Sequence, residues 1–275
     1  MAYNFRGKWA LVTGAGKEER IGARIAEYFA REGANVYIHY RSDKAQAERV
    51  RDRVELEGKK YGVKAKVVYA DLSTLEGVHS LFEEMTPTPD IVVNNAADFA
   101  SYKTPEEDGT FLEHLKGHKQ LMDRNIDVNM KSSLLVAEAA IYKMTREKKE
   151  GVIVFVADAH LRRGGLYPEG HAGYTASKSY IEEVIHHYAA QYGKYDGLRF
   201  LAIANGPIVP PPGASSEVIE QIRSEINMPD YKLKPWIGQD RVAEAVIGLI
   251  NMDGANAAVL DIDGGRGTSS RHENV

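Results

Sequence analysis

Residues 9–22 read WALVTGAGKEERIG, and this stretch decides the fold. Its first four residues are apolar, a pattern typical of a buried parallel strand, and they run into a glycine-containing turn. A helical pattern of apolar residues then begins at Ile21 and reaches Phe29. Glycines between a strand and a helix let the backbone approach a phosphate, which the free N–H groups of the helix N-terminus can bind. The stretch therefore predicts a phosphate-binding turn.

The rest of the chain repeats this alternation of strand and helix. Further strands are predicted at residues 35–40, 65–70, 90–93, 152–156, 198–204 and 257–262. Helices are predicted at 44–60, 75–85, 111–116, 128–147, 174–191, 216–226 and 239–251. The alternation predicts an α/β fold in which residues 1–275 form one doubly wound parallel sheet of about seven strands, covered by helices on both faces. Residues 207–238 are expected to form a substrate lid, and residues 269–275 a mobile tail.

Polar or glycine-rich segments follow most of the predicted strands. They begin at Gly14, Arg41, Asp71, Asn94, Asp158 and Asn205. Ligands of such sheets bind outside the carboxyl ends of the strands, where these segments would meet. Their shared position is the strongest indication of a binding site in the sequence.

Tyr174 and Lys178 are four residues apart on a predicted helix, so both side chains would lie on one face, about 5–6 Å apart at Cβ. At about 4 Å and an effective dielectric constant near 20, the ammonium would favour the phenolate by about 4 kcal/mol. The spacing therefore predicts a tyrosine whose pKa is lowered toward neutrality, as a general acid or base requires. The same spacing is common on ordinary amphipathic helices, so it gains weight only from the surrounding motifs.

Arg41 and Ser42 follow the second predicted strand, where a dinucleotide fold meets the adenosine ribose. An acidic residue there would favour NAD, and none occupies residues 40–42. Arg41 and Ser42 suit a 2′-phosphate and therefore predict NADP(H). The alternative is that Arg41 only begins a solvated helix.

Composition excludes several other classes of protein. The net charge is −4 and the pI about 6.2, which gives no positive excess for nucleic acid. The absence of cysteine excludes disulfides and Cys-ligated metals. Residues 1–8 lack the apolar run of a signal peptide, and no apolar stretch is long enough for a membrane span. We expect a soluble cytoplasmic protein that contains no metal site and acts on a small molecule.

The ordered motifs resemble the short-chain dehydrogenase/reductase family over residues 5–267. They are Thr13-Gly14 to Gly22, Asp71-Leu72, Asn94-Asn95-Ala96, Asn129, Tyr174 with Lys178, and Asp263-Gly264-Gly265. The resemblance implies that Tyr174 delivers the proton, that Lys178 binds the nicotinamide ribose, and that Asn129 holds a water linked to Lys178. It implies further cofactor contacts from Gly14, Gly16, Lys17, Ile21, Gly22, Asp71, Leu72, Asn94, Ala96, Gly206 and Ile208.

The chain departs from that family's pattern at the end of the fifth strand. Asp158, or less plausibly Ala157 or Ala159, stands where a serine is usual. An ionised aspartate only accepts hydrogen bonds, so we expect Asp158 to be protonated by burial or to serve a substrate that offers N–H groups. Pteridine reductases resemble the chain here, with an aspartate in place of the serine, an arginine like Arg20, and a sequence like His39-Tyr40-Arg41-Ser42.

Three functions remain open. The first is NADPH-dependent interconversion of a carbonyl and an alcohol, with Phe99, His160 and Tyr167 lining the substrate site. The second is pteridine-reductase-like reduction of a conjugated C=N that uses Asp158 and Tyr174. The third is a non-catalytic NADP-binding sensor. The resemblance also implies a homodimer or homotetramer.

Overall fold

The computed structural model describes residues 3–99, 110–162, 167, 170–193, 197–206, 208, 216 and 237–264. The strands are β1 (Trp9–Val12), β2 (Asn35–Tyr40), β3 (Ala65–Tyr69), β4 (Ile91–Asn94), β5 (Gly151–Asp158), β6 (Leu198–Asn205) and β7 (Ala258–Ile262). The helices within these ranges are α1 (Ile21–Arg31), α2 (Lys44–Glu57), α3 (Leu75–Glu84), α4 (Phe111–Asn125), α5 (Ser132–Arg146), α6 (Ala159–Arg162), α7 (Ala172–Ser179), α8 (Ile181–Tyr192) and α9 (Gln239–Asn251). The helix predicted at 216–226, most of the predicted lid at 207–238 and the predicted tail at 269–275 lie outside the described residues.

The seven strands form one sheet in the order β3-β2-β1-β4-β5-β6-β7. Every neighbouring pair is parallel, which confirms the predicted doubly wound architecture. The strand order reverses between β1 and β4, and open α/β sheets bind ligands in the crevice at such a switch point. The carboxyl ends of β1 and β4 therefore mark where a cofactor would lie.

Alternate residues of each strand pack against helices on opposite faces of the sheet. Ala10 and Val12 join a core that also contains buried residues of α1, α2 and α9. Trp9 and Leu11 join a second core with residues of α3, α5 and α8. Because both faces are covered, the central strands β1, β4 and β5 are buried at every residue, and simple apolar runs in the sequence mark them.

Helix α1, which follows the glycine turn, packs against the much later helix α9. Phe29 is fully buried in the core that the two helices share, and burial of a phenylalanine side chain contributes about 1.5–3 kcal/mol. At the rim, the Tyr28 hydroxyl donates to Glu244 at 3.3 Å, and Arg24 lies 3.5 Å from Asp240. The nucleotide-binding half of the fold thus depends on a helix from the end of the described chain.

The prediction of two separate helices at 111–116 and 128–147 is wrong. Helix α4 continues into α5 through a wider, π-type turn at Ile126–Lys131, so the helical path runs unbroken from residue 111 to residue 146. Thr110 and Glu113 form a capping box that starts α4. Asn125 is the one buried residue of α4, so the helix has no apolar face from which its length could be read.

None of the helices in the described part of the chain has the length and apolar character that crossing a bilayer requires.

Candidate active site

The turn after β1 is built around Thr13 and Gly14. The Thr13 hydroxyl accepts the backbone N–H groups of Asn95 at 2.9 Å and Ala96 at 3.0 Å. These two hydrogen bonds join the ends of β1 and β4 at the switch point of the sheet. Gly14 has φ +66, a left-handed conformation that glycine adopts without steric cost. The predicted turn therefore lies where the strand order reverses.

Gly22 allows the start of α1 to pack closely on this turn. A Cβ atom at Gly22 would lie 2.6 Å from Nδ2 of Asn95 and 2.8 Å from the Gly14 carbonyl oxygen. Gly16 is buried beside Tyr40, Ile21 opens α1, and Lys17 is exposed. Glu18 is turned toward α2, where it pairs with Arg49 at 2.7 Å, and Glu19 is exposed. Both glutamates thus lie at the surface of the turn.

His39 at the end of β2 organises the same turn, a role that the sequence reasoning missed. Its Nδ1 accepts the Gly14 N–H at 3.0 Å, so its Nε2 carries the hydrogen and donates to the Ala70 carbonyl at 3.1 Å. The His39 carbonyl also accepts the N–H groups of Ala15 and Gly16. Burial lowers the pKa of His39 to about 4. A buried histidine at a strand end next to the glycine turn was the only signal available in the sequence.

The ends of β2 and β3 lie side by side, with Tyr40 opposite Tyr69. Arg41 and Ser42 are exposed at this edge. Asp71 accepts hydrogen bonds from the hydroxyl and the N–H of Ser73 at 2.7 and 3.0 Å. These bonds, with a smaller contribution from the charge of Arg41, lower the pKa of Asp71. Leu72 is buried beside it, so the exposed Arg41 and the carboxylate of Asp71 lie at the same edge.

Asn94 ends β4 with a side chain that is only 5% exposed. Neither of its amide atoms has a hydrogen-bonding partner among the residues that the structure describes. Buried amides are almost always hydrogen-bonded, and one that is not calls for a ligand or water. Asn94 stands at the switch point, next to Ala96 and the glycine turn. An orphaned amide beside a close-packed glycine turn fits a bound dinucleotide.

Asp158 is the last residue of β5 and is 7% exposed. Its Oδ1 accepts the N–H groups of His160 and Leu161 at 2.9 and 3.2 Å. Its Oδ2 accepts the hydroxyls of Tyr167 and Tyr174 at 2.7 and 2.9 Å. In all four bonds Asp158 is the acceptor, a pattern that satisfies an ionised carboxylate. Asp158, and not Ala157 or Ala159, therefore faces the Tyr174 hydroxyl.

The expected lowering of the Tyr174 pKa is wrong for this structure. Burial, and after it the negative charge of Asp158, raises the pKa of Tyr174 well above its ordinary value. Lys178 is also buried, and burial lowers its pKa to about 8. Its ammonium donates to the Val156 carbonyl at 2.9 Å. The sequence spacing predicted a cation one helical turn away, but it could not show the burial and the carboxylate that set the pKa of Tyr174.

Asn129 lies in the π-type turn and is buried. Its amide oxygen accepts the Asp98 N–H at 2.6 Å, and its amide nitrogen donates to the Asp98 carbonyl and to the Ser177 hydroxyl, both at 2.9 Å. The side chain thus joins the segment after β4 to α7. The water-holding role that the resemblance gives Asn129 stays a prediction.

Aromatic side chains cluster at the ring of Tyr174. Phe99 lies edge-on to Tyr174 with ring centroids 4.6 Å apart, and Tyr167 does so at 5.3 Å. His160 contacts Tyr167 at 4.9 Å. Buried His171 stacks on Tyr167 at 5.6 Å. The three residues predicted for the substrate site are thus brought together, and His171, which the sequence reasoning missed, was marked by its position one helical turn before Tyr174.

The segment after β6 borders the same edge. The Gly206 N–H donates to the Ile262 carbonyl at 2.8 Å, which continues the β6–β7 ladder one residue beyond β6. Ile208 pairs with Ile237 in an isolated bridge. The bridge ties together the two ends of the segment that was predicted to be a lid.

Comparison with known proteins agrees with this geometry. A family model described as "Enoyl-(Acyl carrier protein) reductase" matches residues 14–266. Glucose 1-dehydrogenase 2 of Bacillus subtilis (strain 168) is 29% identical over 96% of this chain and 96% of its own length. The NADPH-dependent aldehyde reductase-like protein, chloroplastic, of Arabidopsis thaliana is 28% identical over 94% of each chain. The crystal structure of a short chain dehydrogenase from Burkholderia cenocepacia J2315 in complex with NADP is 25% identical with a TM-score of 0.74, and covers 95% of this chain and 98% of that one.

Proposed function

The chain belongs to the short-chain dehydrogenase/reductase family of oxidoreductases, and we propose that it interconverts a carbonyl and an alcohol with NADP(H). The observation that carries this proposal is the buried Tyr174 hydroxyl, one helical turn from Lys178 and on the same sheet edge as the glycine turn. Tyr174 is the general acid of the reduction and the general base of the reverse reaction.

The exposed residues at the carboxyl ends of β2 and β3 favour NADP(H) as the cofactor. Arg41 and Ser42 provide a cation and a hydroxyl for a 2′-phosphate, and residues 40–42 contain no carboxylate that would select the free ribose hydroxyls. The glycine turn would hold the pyrophosphate, and the orphaned amide of Asn94 would bond to the cofactor. The names of the Arabidopsis relative and of the Burkholderia complex agree with NADP(H).

The raised pKa of Tyr174 keeps the phenol protonated at neutral pH. When bound, NADPH supplies a hydride to the carbonyl carbon. Tyr174 gives its proton to the carbonyl oxygen, and the positive charge of Lys178, one helical turn along α7, stabilises the phenolate that forms. The ring of Phe99, which is 53% exposed, forms a wall of the substrate site.

The test is the Tyr174→Phe variant, assayed for NADPH oxidation against a panel of ketones and aldehydes. We expect the rate to fall by at least 1,000-fold, since the proton donor is lost, while NADPH binding measured by fluorescence is retained. Equal rates in the variant and the parent protein would reject Tyr174 as the acid. An absence of NADPH oxidation by the parent protein with any substrate would favour a binding sensor without turnover.

Asp158 supports a second candidate, a pteridine-reductase-like reduction of a conjugated C=N. Its carboxylate could accept hydrogen bonds from ring N–H groups of such a substrate, since all its described bonds are accepted ones. A dihydropteridine assayed beside the ketone panel separates the two functions. Turnover of ketones alone rejects the second candidate, and turnover of the dihydropteridine alone rejects the first.

A further inference from the structure

Two phenol hydroxyls meet at one carboxylate oxygen. Tyr167 donates to Oδ2 of Asp158 at 2.7 Å, and Tyr174 donates to the same atom at 2.9 Å. The two hydroxyl oxygens are therefore no more than about 6 Å apart, because their separation cannot exceed the sum of the two bonds. A substrate oxygen that receives a hydrogen bond from Tyr174 would lie within reach of the Tyr167 hydroxyl too.

The Tyr167 ring is held in this position from several sides. It lies edge-on to Tyr174 at an interplanar angle of 88° and edge-on to His160 at 67°. His171 stacks on it at 28°, and the Phe99 centroid is 5.5 Å away. Ring contacts of this kind fix the direction in which a phenol hydroxyl points. The hydroxyl is thus oriented in advance toward the carboxylate that also holds Tyr174.

Carbonyl reduction places negative charge on the substrate oxygen, and oriented donors around that oxygen accelerate such reactions. Asp158 cannot provide a donor while it is ionised. Its Oδ1 is already occupied by the N–H groups of His160 and Leu161, so the atom that faces Tyr174 is Oδ2. The other hydroxyl bonded to that atom in the described part of the chain belongs to Tyr167.

We propose that Tyr167 is a second catalytic hydroxyl, which donates a hydrogen bond to the substrate oxygen beside Tyr174. This inference rests on the carbonyl-reductase function proposed above. Hydride from NADPH forms the new C–H bond, the π electrons of the carbonyl move to its oxygen, and that oxygen takes the proton of Tyr174. Tyr167 keeps its proton and stabilises the developing charge. Asp158 is a positioning residue that holds both phenols until the substrate oxygen replaces it as their acceptor.

The test is the Tyr167→Phe variant, which keeps the ring and removes only the hydroxyl. We expect kcat for ketone reduction to fall by about 100-fold, the usual loss when one oxyanion donor is removed, with the KM for NADPH unchanged. Tyr142→Phe is the matched control, because Tyr142 is an exposed tyrosine on α5, and its kcat should equal that of the parent protein.

A second change distinguishes a lost donor from a disturbed site. Asp158→Ser introduces a hydroxyl at the carboxylate position. The double variant Asp158→Ser with Tyr167→Phe should therefore have a kcat at least tenfold higher than that of Tyr167→Phe alone. Thermal melts and NADPH binding establish that each variant is folded. A Tyr167→Phe variant with more than half the parent kcat would overturn the proposal, as would a double variant no faster than Tyr167→Phe alone. Either result leaves the proposed function standing, which fails only if the parent protein reduces no carbonyl.

Discussion

The imidazole of His39 accepts the backbone N–H of Gly14 at 3.0 Å. Through its other nitrogen, His39 also bonds to Ala70 at the end of β3. One neutral ring therefore joins the ends of three neighbouring strands around the glycine turn. Protonation of Nδ1 would remove its lone pair, so this arrangement requires the neutral form.

The first prediction concerns stability at low pH. The pKa of His39 is about 4 in the folded protein, lowered from 6.5 mainly by burial, with Arg41 and Asp71 as the charges that face the ring. As pH falls below 6.5, the unfolded chain binds a proton here that the folded chain does not, so stability is lost between pH 6.5 and 4, by about 3 kcal/mol in total. Denaturant unfolding at several pH values should show a flatter profile for His39→Gln than for the parent protein.

His79→Gln is the control for that experiment, because His79 is exposed on α3. Its pH profile should follow that of the parent protein. Parallel profiles for His39→Gln and the parent protein would contradict the prediction.

The second prediction concerns Asn94, whose buried amide has no partner in the described part of the chain. Asn94→Leu has a similar volume and removes the cost of burying an unsatisfied amide, so the free protein should gain about 1–2 kcal/mol of stability. NADPH should bind about tenfold more weakly, because its bond to the amide is lost. Melting curves with and without NADPH measure both effects.

Asn35→Leu is the control, because the side-chain amide of Asn35 is hydrogen-bonded and that of Asn94 has no partner among the described residues. The Asn35 amide accepts the Lys64 N–H at 2.8 Å and donates to the Gly7 carbonyl at 3.5 Å. Its replacement should destabilise the free protein and leave NADPH affinity unchanged. A loss of stability in Asn94→Leu of the same size as that in Asn35→Leu would show that the Asn94 amide is not unsatisfied.

The third prediction concerns the pH dependence of catalysis. After burial, the negative charge of Asp158 is the largest cause of the raised Tyr174 pKa. Asp158→Asn removes that charge and keeps the shape of the side chain, so the pKa of Tyr174 should fall. The rate of alcohol oxidation, which needs the phenolate, should then rise at a lower pH than in the parent protein.

Rate profiles of alcohol oxidation with NADP⁺ between pH 6 and 11 measure that shift. Asp127→Asn is the control, since Asp127 forms a solvent-exposed pair with Lys131 at 2.7 Å, and its profile should not move. A profile for Asp158→Asn that does not move, or that moves to higher pH, would contradict the prediction that the carboxylate charge raises the pKa of Tyr174.

The fourth prediction concerns the choice of nucleotide. A charge-assisted hydrogen bond contributes about 1.5–3 kcal/mol, so Arg41→Ala should raise the KM for NADPH by about 10–100-fold. The KM for NADH should change little, because NADH lacks the 2′-phosphate. Arg51→Ala, which removes an arginine of α2 paired with Asp52, should alter neither value. Equal increases for both nucleotides would refute the 2′-phosphate contact.

The architecture was largely predictable because each buried strand is a short apolar run followed by a polar or glycine-rich turn. The bounds of β1, β2 and α9 agree with the sequence pattern to the residue. The length of α4 was underestimated because Gly117 and the polar surface of the helix hide the helical period. Within the site, Tyr174 lies beside Asp158 because α7 packs against the carboxyl end of β5. Asp158 and Tyr174 are sixteen residues apart in the sequence, so neither the distance between them nor the raised pKa of Tyr174 could be predicted from it.

The packing of α1 against α9 has a consequence for synthesis. A ribosome makes α1 more than 200 residues before α9, so the apolar surface that α1 packs against α9 is uncovered when α1 emerges. The emerging chain must hold this surface in water or on a chaperone until Val242 and Val246 arrive to cover it. Nascent chains halted before residue 238 should therefore be aggregation-prone, even when the glycine turn after β1 has formed.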